Sequence, residues 1–396
     1  MTTVIAESLT TDSLDLKTLL ELSRRSDPVG VLSVYLDVRP GENAQATTID
    51  LTNRLAELER RVERDGPPER ALAVHEAVAR LADEIDRVID PEQRGRGRVV
   101  FAAVDGTWVT RVSTQMPLPN RVVLDGSAFI HPLLELLDEG GPAGVVLASR
   151  AEARLLEWRL GELVPLRELR AELLEPPHER SGPIGSRPGS GHGTPTGEQR
   201  NARTRDEAAR FIERVGAAAS RLGRERGWKR VLVSAGEQLT EPLVLALSRP
   251  LSEVALRDPR VLVGLGLAML EDIATERLRA AHEESARRLV HHICEYGNGA
   301  GVAALGLSEV VGALNQARVG HLIYDPSMRY RGSIGHDGSL YAHDEAILAY
   351  GSTPEVRLTE RIVERALETG ARVTPVEGAA SNGLAEASGI AALLRW

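Results

Sequence analysis

The sequence has a single cysteine, Cys294, and only two lysines, Lys17 and Lys229, among 396 residues. One cysteine excludes an internal disulfide, a thiolate zinc cluster and an iron–sulfur centre, and it fits a reducing, cytoplasmic compartment. No stretch approaches the ~20 uninterrupted apolar residues of a membrane span. Met1 to Lys17 is acidic and threonine-rich, without the basic start and apolar segment of an export signal. Neither export nor membrane insertion is expected. Common enzyme templates are missing too. No glycine-rich loop closes on Lys-Ser or Lys-Thr, and neither G-x-S-x-G nor H-E-x-x-H occurs. His291 and His292 with Cys294 look superficially like metal ligands. Adjacent helical positions diverge by about 100°, so the two imidazoles do not converge on one ion. No metal and no cofactor are expected.

What remains is a globular composition, 42% hydrophobic and 27% charged, long enough for two to four domains with separate cores. The net charge of −9 argues against a protein that coats nucleic acid without specificity, which needs excess cations to displace phosphate counterions. The charge is uneven. Residues 1–140 carry 16 basic and 24 acidic side chains, 141–296 carry 24 and 22, and 297–396 carry 8 and 11. Only the middle is net positive, and its cations are almost all arginine, the better donor for bidentate phosphate contacts and base stacking.

Periodicity orders the chain. Leu14 to Ser23 reads as a helix and Gly30 to Val38 as a strand ending at Pro40-Gly41. Apolar steps of three and four from Leu51 to Val62 and from Val74 to Val88, separated by Gly66-Pro67-Pro68, predict a helical hairpin. Arg98 to Val104, Thr107 to Ser113 and Arg121 to Leu124 read as strands, then Pro132 to Leu137 as a helix. Beyond Gly140-Gly141, Ala143 to Ala148, Arg154 to Arg159 and Glu162 to Val164 form three strands suited to antiparallel pairing. A long helix over 198–226, a strand over 230–234, a helix over 241–247, a strand over 261–263 and a helix over 267–294 follow. The last hundred residues alternate: helix 307–317, strand 319–324, helix 359–369, strands 371–376 and 390–394. That alternation predicts a layered sandwich around a mostly parallel sheet. His336-Asp337, Tyr341 and His343-Asp344-Glu345 read as a solvated loop there. The expected divisions are 1–140, 141–275 and 276–396.

Pro176 to Gly197 is unlike the rest, with five prolines, six glycines and Ile184 as its one large apolar residue. Such a segment cannot pack a core. It opens into a helix N-terminus, where unpaired N–H groups and the helix dipole favour an anion, and Arg200, Arg203 and Arg205 add positive charge within two turns. Phosphate contact is one reading of this junction. A surface loop with an ordinary cap at Thr196 and Glu198 in the first turn is the other.

Three stretches resemble one family. Gly306-Leu-Ser-Glu-Val-Val-Gly-Ala-Leu-Asn-Gln-Ala-Arg-Val319, His321-Leu-Ile323 and the ending Ser388-Gly-Ile-Ala-Ala-Leu-Leu-Arg395-Trp396 are similar to the C-terminal domain of archaeo-eukaryotic class-1 peptide-chain release factors and their ribosome-rescue relative. Gly197-Glu-Gln199 followed by Arg203-Thr-Arg205-Asp-Glu207 and Phe211 resembles the family's Gly-Gly-Gln segment and the helix after it. Leu32-Ser-Val-Tyr35-Leu resembles the start of the family's first domain. The similarity spans nearly the whole chain in order and points to the bacterial members of the superfamily.

The resemblance implies a multidomain α/β fold. It has an N-terminal α+β domain with a long helical hairpin, a ribonuclease-H-like middle domain carrying the Gly/Pro loop, and a C-terminal α/β/α sandwich like kink-turn-binding ribosomal proteins. It further implies a factor that enters the ribosomal A site, with ribosomal RNA and the tRNA acceptor region as partners and a translational GTPase as candidate carrier. Gln199, flanked by Gly197 and Glu198, matches the glutamine that helps position water on the ester of peptidyl-tRNA. An amide is no general base at neutral pH, so positioning and dipole stabilisation are its mechanism. Gly191, His192 and Gly193 with Arg200, Arg203 and Arg205 are the candidate RNA-contacting positions.

Two departures matter. Glu198 replaces the family's second glycine, removing backbone freedom and adding an anion near RNA phosphates. The family's stop-codon motif, Asn-Ile-Lys-Ser, has no counterpart in the turn Asp65-Gly-Pro-Pro-Glu-Arg70. Two functions remain open: codon-independent release of the nascent chain through Gln199, and occupation of the A site without chemistry, as a hibernation factor would. If the loop–helix junction meets RNA, replacing Arg200, Arg203 and Arg205 by Ala should weaken ribosome association and flatten its log–log salt slope by about two. Unchanged co-sedimentation across a salt series would remove the phosphate contact.

Overall fold

The periodicities of the first 140 residues resolve into a sheet covered by helices in the computed structural model, which describes residues 5–38, 44–90, 92, 93, 95–171, 197–300, 302–342, 352–378 and 380–396. The elements are β1 (Ile5–Leu9), α1 (Leu16–Arg24), β2 (Ser26–Asp37), α2 (Ala44–Asp65), α3 (Pro68–Arg80), α4 (Ala82–Ile89), β3 (Gly97–Ala103), β4 (Trp108–Thr114), β5 (Arg121–Ser127) and α5 (His131–Glu139). Asp15 caps α1 by accepting from the Thr18 N–H at 2.8 Å. The hairpin of α2 and α3 turns at Gly66-Pro67, and Pro68 takes the first helical turn, where a missing N–H costs nothing. The second arm breaks at Leu81 (φ −84°, ψ 0°) into α3 and α4. Strand order is β1-β4-β3-β2-β5. Strand β2 sends Leu32, Val34 and Leu36 against Leu51, Leu55 and Leu58 of α2 and Val88 of α4. Strand β1, parallel to β4, was not foreseen, because five residues offer too little alternation to register.

Met1–Gly140 and Arg279–Trp396 together make one compact unit, and Gly141–Leu278 makes a second. The second contains β6 (Ala143–Ala148), β7 (Glu152–Arg159), β8 (Glu162–Arg170), α6 (Gly197–Arg226), β9 (Arg230–Ser234), α7 (Thr240–Leu245), β10 (Ala255–Asp258) and the start of α8 (Leu267–Ala300). Strands β6, β7 and β8 are antiparallel neighbours, as expected, and β9 and β10 extend the sheet in parallel beyond β6. The expected strand at 261–263 is displaced to β10. Pro259 has no N–H to continue the ladder, so the chain turns away and leaves Val261 exposed.

The first unit is completed by β11 (Ala303–Leu305), α9 (Leu307–Asn315), β12 (Val319–Tyr324), β13 (Gly332–Ile334), β14 (Leu340–Ala342), β15 (Thr353–Glu355), α10 (Leu358–Glu368), β16 (Arg372–Pro375) and β17 (Ile390–Leu394). Its sheet runs β11-β17-β12-β16, and only β12 and β16 are parallel. The mostly parallel sheet expected from alternation is corrected. Strand β17 follows a 3₁₀ turn over 381–387, closed by left-handed Ser388 and Gly389, and re-enters antiparallel instead of crossing over through a long helix. His336 and Asp337 lie in an exposed turn, as expected, whereas Tyr341 belongs to β14, which forms a small sheet with β13 and β15. The Asn315 side chain pins it to α9 by bonding the Leu340 carbonyl at 2.7 Å and N–H at 2.9 Å. Positions 343–345 lie outside the described residues.

Polar groups tie residues 1–140 to 279–396 within that unit. Asp138 accepts from Arg372 Nε at 2.8 Å and Thr374 Oγ1 at 2.6 Å, and Arg121 pairs with both oxygens of Glu377 at 3.0 Å. Burial alone would raise the Asp138 carboxyl, but the Arg372 and Thr374 hydrogen bonds outweigh it and hold the pKa below the usual range. At Glu135 and Glu360 the opposing influences, nearby arginines and, for Glu360, a backbone hydrogen bond, are outweighed. Burial, reinforced by Glu377 and Glu139 around the first and by Asp125 near the second, pushes each to about 7. A carboxyl raised in the folded state contributes stability that is complete below its unfolded value and lost as pH rises through about 7. Relative to the parent, Glu135→Gln or Glu360→Gln should therefore gain stability between pH 5 and pH 8, by up to about 3 kcal/mol per site. Urea unfolding at the two pH values checks this, and a pH-independent difference would mean neither carboxyl is desolvated.

Candidate functional site

The Gly/Pro loop joins β8 to α6, and both supports are set by the same core. Along α6 the apolar positions Phe211, Ile212, Val215, Ala218 and Ala219 lie on one stripe, buried against Val146, Leu155, Trp228, Val231 and Leu243. Gly216 permits the closest approach: a Cβ there would sit 2.6 Å from both the Cβ and the carbonyl oxygen of Ala246. Ser220 reinforces the contact by donating to the Gly216 carbonyl at 2.7 Å and accepting from the Ser248 N–H at 2.9 Å.

The far end of α6 is closed as firmly. Gly227 takes a left-handed conformation (φ +68°), and the Trp228 N–H returns to the Gly223 carbonyl at 2.9 Å. The Trp228 indole packs against Gly144, where a Cβ would come within 2.2 Å of the ring, and its N–H bonds Glu157 at 2.8 Å. Held along these contacts, the helix carries its first turn outward. At 1.5 Å per residue, Gln199 lies about 18 Å along the axis from Phe211, the first fully buried residue of the stripe.

Gly197, Glu198 and Gln199 are thus the opening turn of α6, and Arg200 and Arg203 lie within its first two turns. The side chains of 197–204 lie outside the described residues, as do Gly191, His192 and Gly193. Arg205 is described, and it is exposed. It borders a cleft of about 660 Å³ together with Arg150, Ile212, Glu213, Gln238 and Pro242. Arg150 donates to the Gln238 amide oxygen at 2.8 Å.

Sequence reasoning missed Arg150 and Gln238. They follow the carboxyl ends of parallel strands β6 and β9, where clefts open in α/β sheets, so strand order was the signal that could have found them. The nearby buried carboxyl of Asp258 is a brace. Hydrogen bonds from Arg260 at 2.9 and 2.6 Å hold it ionised below the usual range. His291 pairs with Glu295 at 3.3 Å, while Cys294 contacts the Gly383 carbonyl at 3.2 Å. The cleft combines two guanidinium groups and an amide with the Glu213 carboxylate, so its walls present both signs of charge.

Residues 129–285 match the family model of bacterial archaeo-eukaryotic release factor family 10, a span that includes the whole second unit. Of the motifs that carry the superfamily resemblance, Gly197-Glu-Gln199 and the helix after it lie within that span. No curated protein matches the chain. Among solved structures, the archaeal translation termination factor aRF1 is similar at 18% identity, covering 98% of this chain and 99% of its own, with a TM-score of 0.26. Pelota from Archaeoglobus fulgidus is 15% identical over 76% of this chain and 79% of its own, TM-score 0.34. Dom34 of S. cerevisiae, a translation termination-like factor that interacts with Hbs1, is 10% identical over 71% and 75%, TM-score 0.38.

Helix propensity and packing make opposite statements about Gly216. In a free helix Ala would stabilise by about 1 kcal/mol, but here its Cβ meets fixed backbone, so Gly216→Ala should destabilise by about 1–3 kcal/mol. Gly223→Ala meets the movable end of Leu251 at 3.0 Å and the Trp228 ring at an ordinary 3.4 Å, and should be neutral or stabilising. Chemical denaturation of the two variants distinguishes a helix clamped at Gly216 from one merely resting on the sheet.

Proposed function

We propose that this protein is a ribosome A-site-binding factor of the release-factor type, acting without a codon and hydrolysing peptidyl-tRNA through Gln199. The match over 129–285 carries the reading, because it contains the sheet, the loop and Gly197-Glu-Gln199 together. The strand order β8-β7-β6-β9-β10, three antiparallel then two parallel, supports a ribonuclease-H-like middle domain. Within the proposal the chain divides at 1–140, 141–275 and 276–396, the last resembling kink-turn-binding ribosomal proteins. The hairpin turn at Gly66-Pro67 carries no decoding motif, which supports codon independence.

In this reading, α6 presents the Gln199 amide at the ester of peptidyl-tRNA, where it orients a water and supplies a dipole to the developing oxyanion. Ribosomal RNA supplies the remainder of the environment. Ribosomal RNA and the tRNA acceptor region are the proposed partners, with a translational GTPase as candidate carrier. Among the described residues no helix is long and apolar enough to cross a membrane.

Glu198 favours a second reading, occupation of the A site without chemistry, since its carboxylate must approach phosphates. Release of labelled peptide from ribosomes with peptidyl-tRNA in the P site and an empty A site separates the two. Release by the parent, reduced at least ~100-fold in Gln199→Ala, establishes the hydrolase, that being the scale on which a single positioning dipole acts. No release from either protein, with ribosome binding retained, establishes the occupying factor. Glu198→Gly should then raise release above background if the carboxylate is the obstacle.

A further inference from the structure

Strand β5 ends its sheet. In the order β1-β4-β3-β2-β5 it pairs, among the described residues, only with β2, continuously over 121–125. An antiparallel strand paired on one side sends the N–H and C=O groups of alternate residues away from its partner. Among the described residues no hydrogen bond from outside the β2 ladder reaches the backbone of Val122, Val123 or Leu124, and all three are half-buried.

A concavity of about 350 Å³ opens at this edge, between residues 122–124 and the end of the helical hairpin at Leu58, Arg61, Val62 and Arg70. Its position follows from the alternation of the strand. Val122 and Leu124 pack toward α2, whereas Arg121 and Asp125, on the face of Val123, meet Glu377 and Arg329. A space that touches three consecutive residues therefore lies beside the strand and over neither face. Arg329 borders it from the side away from α2.

Arginine is left over here. Asp65, in the wall, pairs with Arg64 at 3.0 Å, and Asp125, next along the strand, pairs with Arg329 at 3.3 Å. Arg70 donates from Nε to the neutral Val29 carbonyl at 3.1 Å, and Arg61 has no hydrogen bond or ion pair among the described residues. Both side chains belong to exposed residues. Beside them, Leu58 and Val62 supply an apolar floor. Phosphates carry acceptors only, so a nucleic-acid backbone would leave the outward carbonyl groups of β5 unmatched. Another polypeptide matches donors and acceptors alike, and carboxylates along it would answer Arg61 and Arg70.

We propose that the free edge of β5 docks an extended acidic segment of a partner protein, which adds as a strand beside residues 122–124 and sets its carboxylates against Arg61 and Arg70. The site lies wholly in the first unit, whereas the A-site reading rests on Gln199 in the second, so the two fail separately.

The test is fluorescence anisotropy of the full-length protein with a labelled decapeptide of alternating Val and Glu. The parent should bind it with a Kd below about 100 μM. Arg61→Glu should weaken binding about five- to ten-fold at low salt, while Arg60→Glu, one position away and outside the cleft, should leave it within about two-fold. A peptide of equal charge with Pro in place of each Val cannot join a ladder and should not bind. On hydrogen–deuterium exchange the amides of 121–127 should slow when the Val/Glu peptide is bound.

Equal binding of the proline peptide, or displacement by polyuridylate of equal charge at equal concentration, would make the edge a site for anions at large and overturn strand addition. No binding by the parent at about 1 mM, unchanged affinity in Arg61→Glu, or protection confined to segments other than β5 would overturn the site itself.

Discussion

The second unit depends on one contact, the close approach of α6 to the chain after α7 at Gly216. A 30-residue helix cannot lie on a five-stranded sheet along its whole length, so its usefulness depends on where along the helix it is clamped. The clamp falls in the C-terminal half, with Ser220 bridging Gly216 to Ser248 and Trp228 locking the end over Gly144. The N-terminal turns are therefore carried on a rod whose azimuth is set elsewhere. This fixes the direction of the opening turn at a distance from the core. Both flanks of the rod are furnished with arginine. Arg205 and Arg150 border one concavity, and Arg167, Arg170, Arg214 and Arg221 border the other.

The first unit solves a different problem, that of joining residues far apart in sequence. It does so with buried polar groups where a purely apolar seam would have been simpler. Asp138 collects Arg372 and Thr374, Arg121 takes both oxygens of Glu377, and His131 meets the Tyr324 hydroxyl at 2.5 Å. Such networks add less net stability than their number suggests, because each ion pays desolvation. What they impose is register, since a displaced partner leaves a buried charge unmatched. Glu135 and Glu360 show that the matching is incomplete, and burial holds them protonated into the neutral range. His131 goes the other way. Burial, with Arg121 and Arg329 nearby, drives it down to about 3, so it acts as a neutral hydrogen-bonding group.

Most elements were legible because their physics is local. The stripe of α6, the three antiparallel strands before it and the Gly66-Pro67 hairpin follow from spacing and turn chemistry alone. Failures came where tertiary pairing decided. Ile5–Leu9 becomes a strand only because β4 offers an edge, and Val261 to Val263 loses to Ala255–Asp258 because Pro259 breaks the ladder. The antiparallel entry of β17 depends on the left-handed Ser388 and Gly389 turn, which carries no periodicity to read. The candidate glutamine was visible as a motif, whereas the concavity between β8 and α6 was not. Arg167 and Arg170 stand more than forty positions before Arg214 and Arg221, and only the packing of β8 beside α6 brings them together.

Glu198 then takes on a definite physical meaning. A carboxylate in the first turn of a helix is favoured by the N–H groups and dipole there, so for α6 itself Glu198 is stabilising. For an approaching phosphate the same charge is repulsive, and screening in salt solution confines that repulsion to about 8–10 Å. Phe211 is about 18 Å down the axis from Gln199, beyond that reach. Repulsion from Glu198 is therefore confined to the opening turns of α6 and does not extend to the level of Phe211.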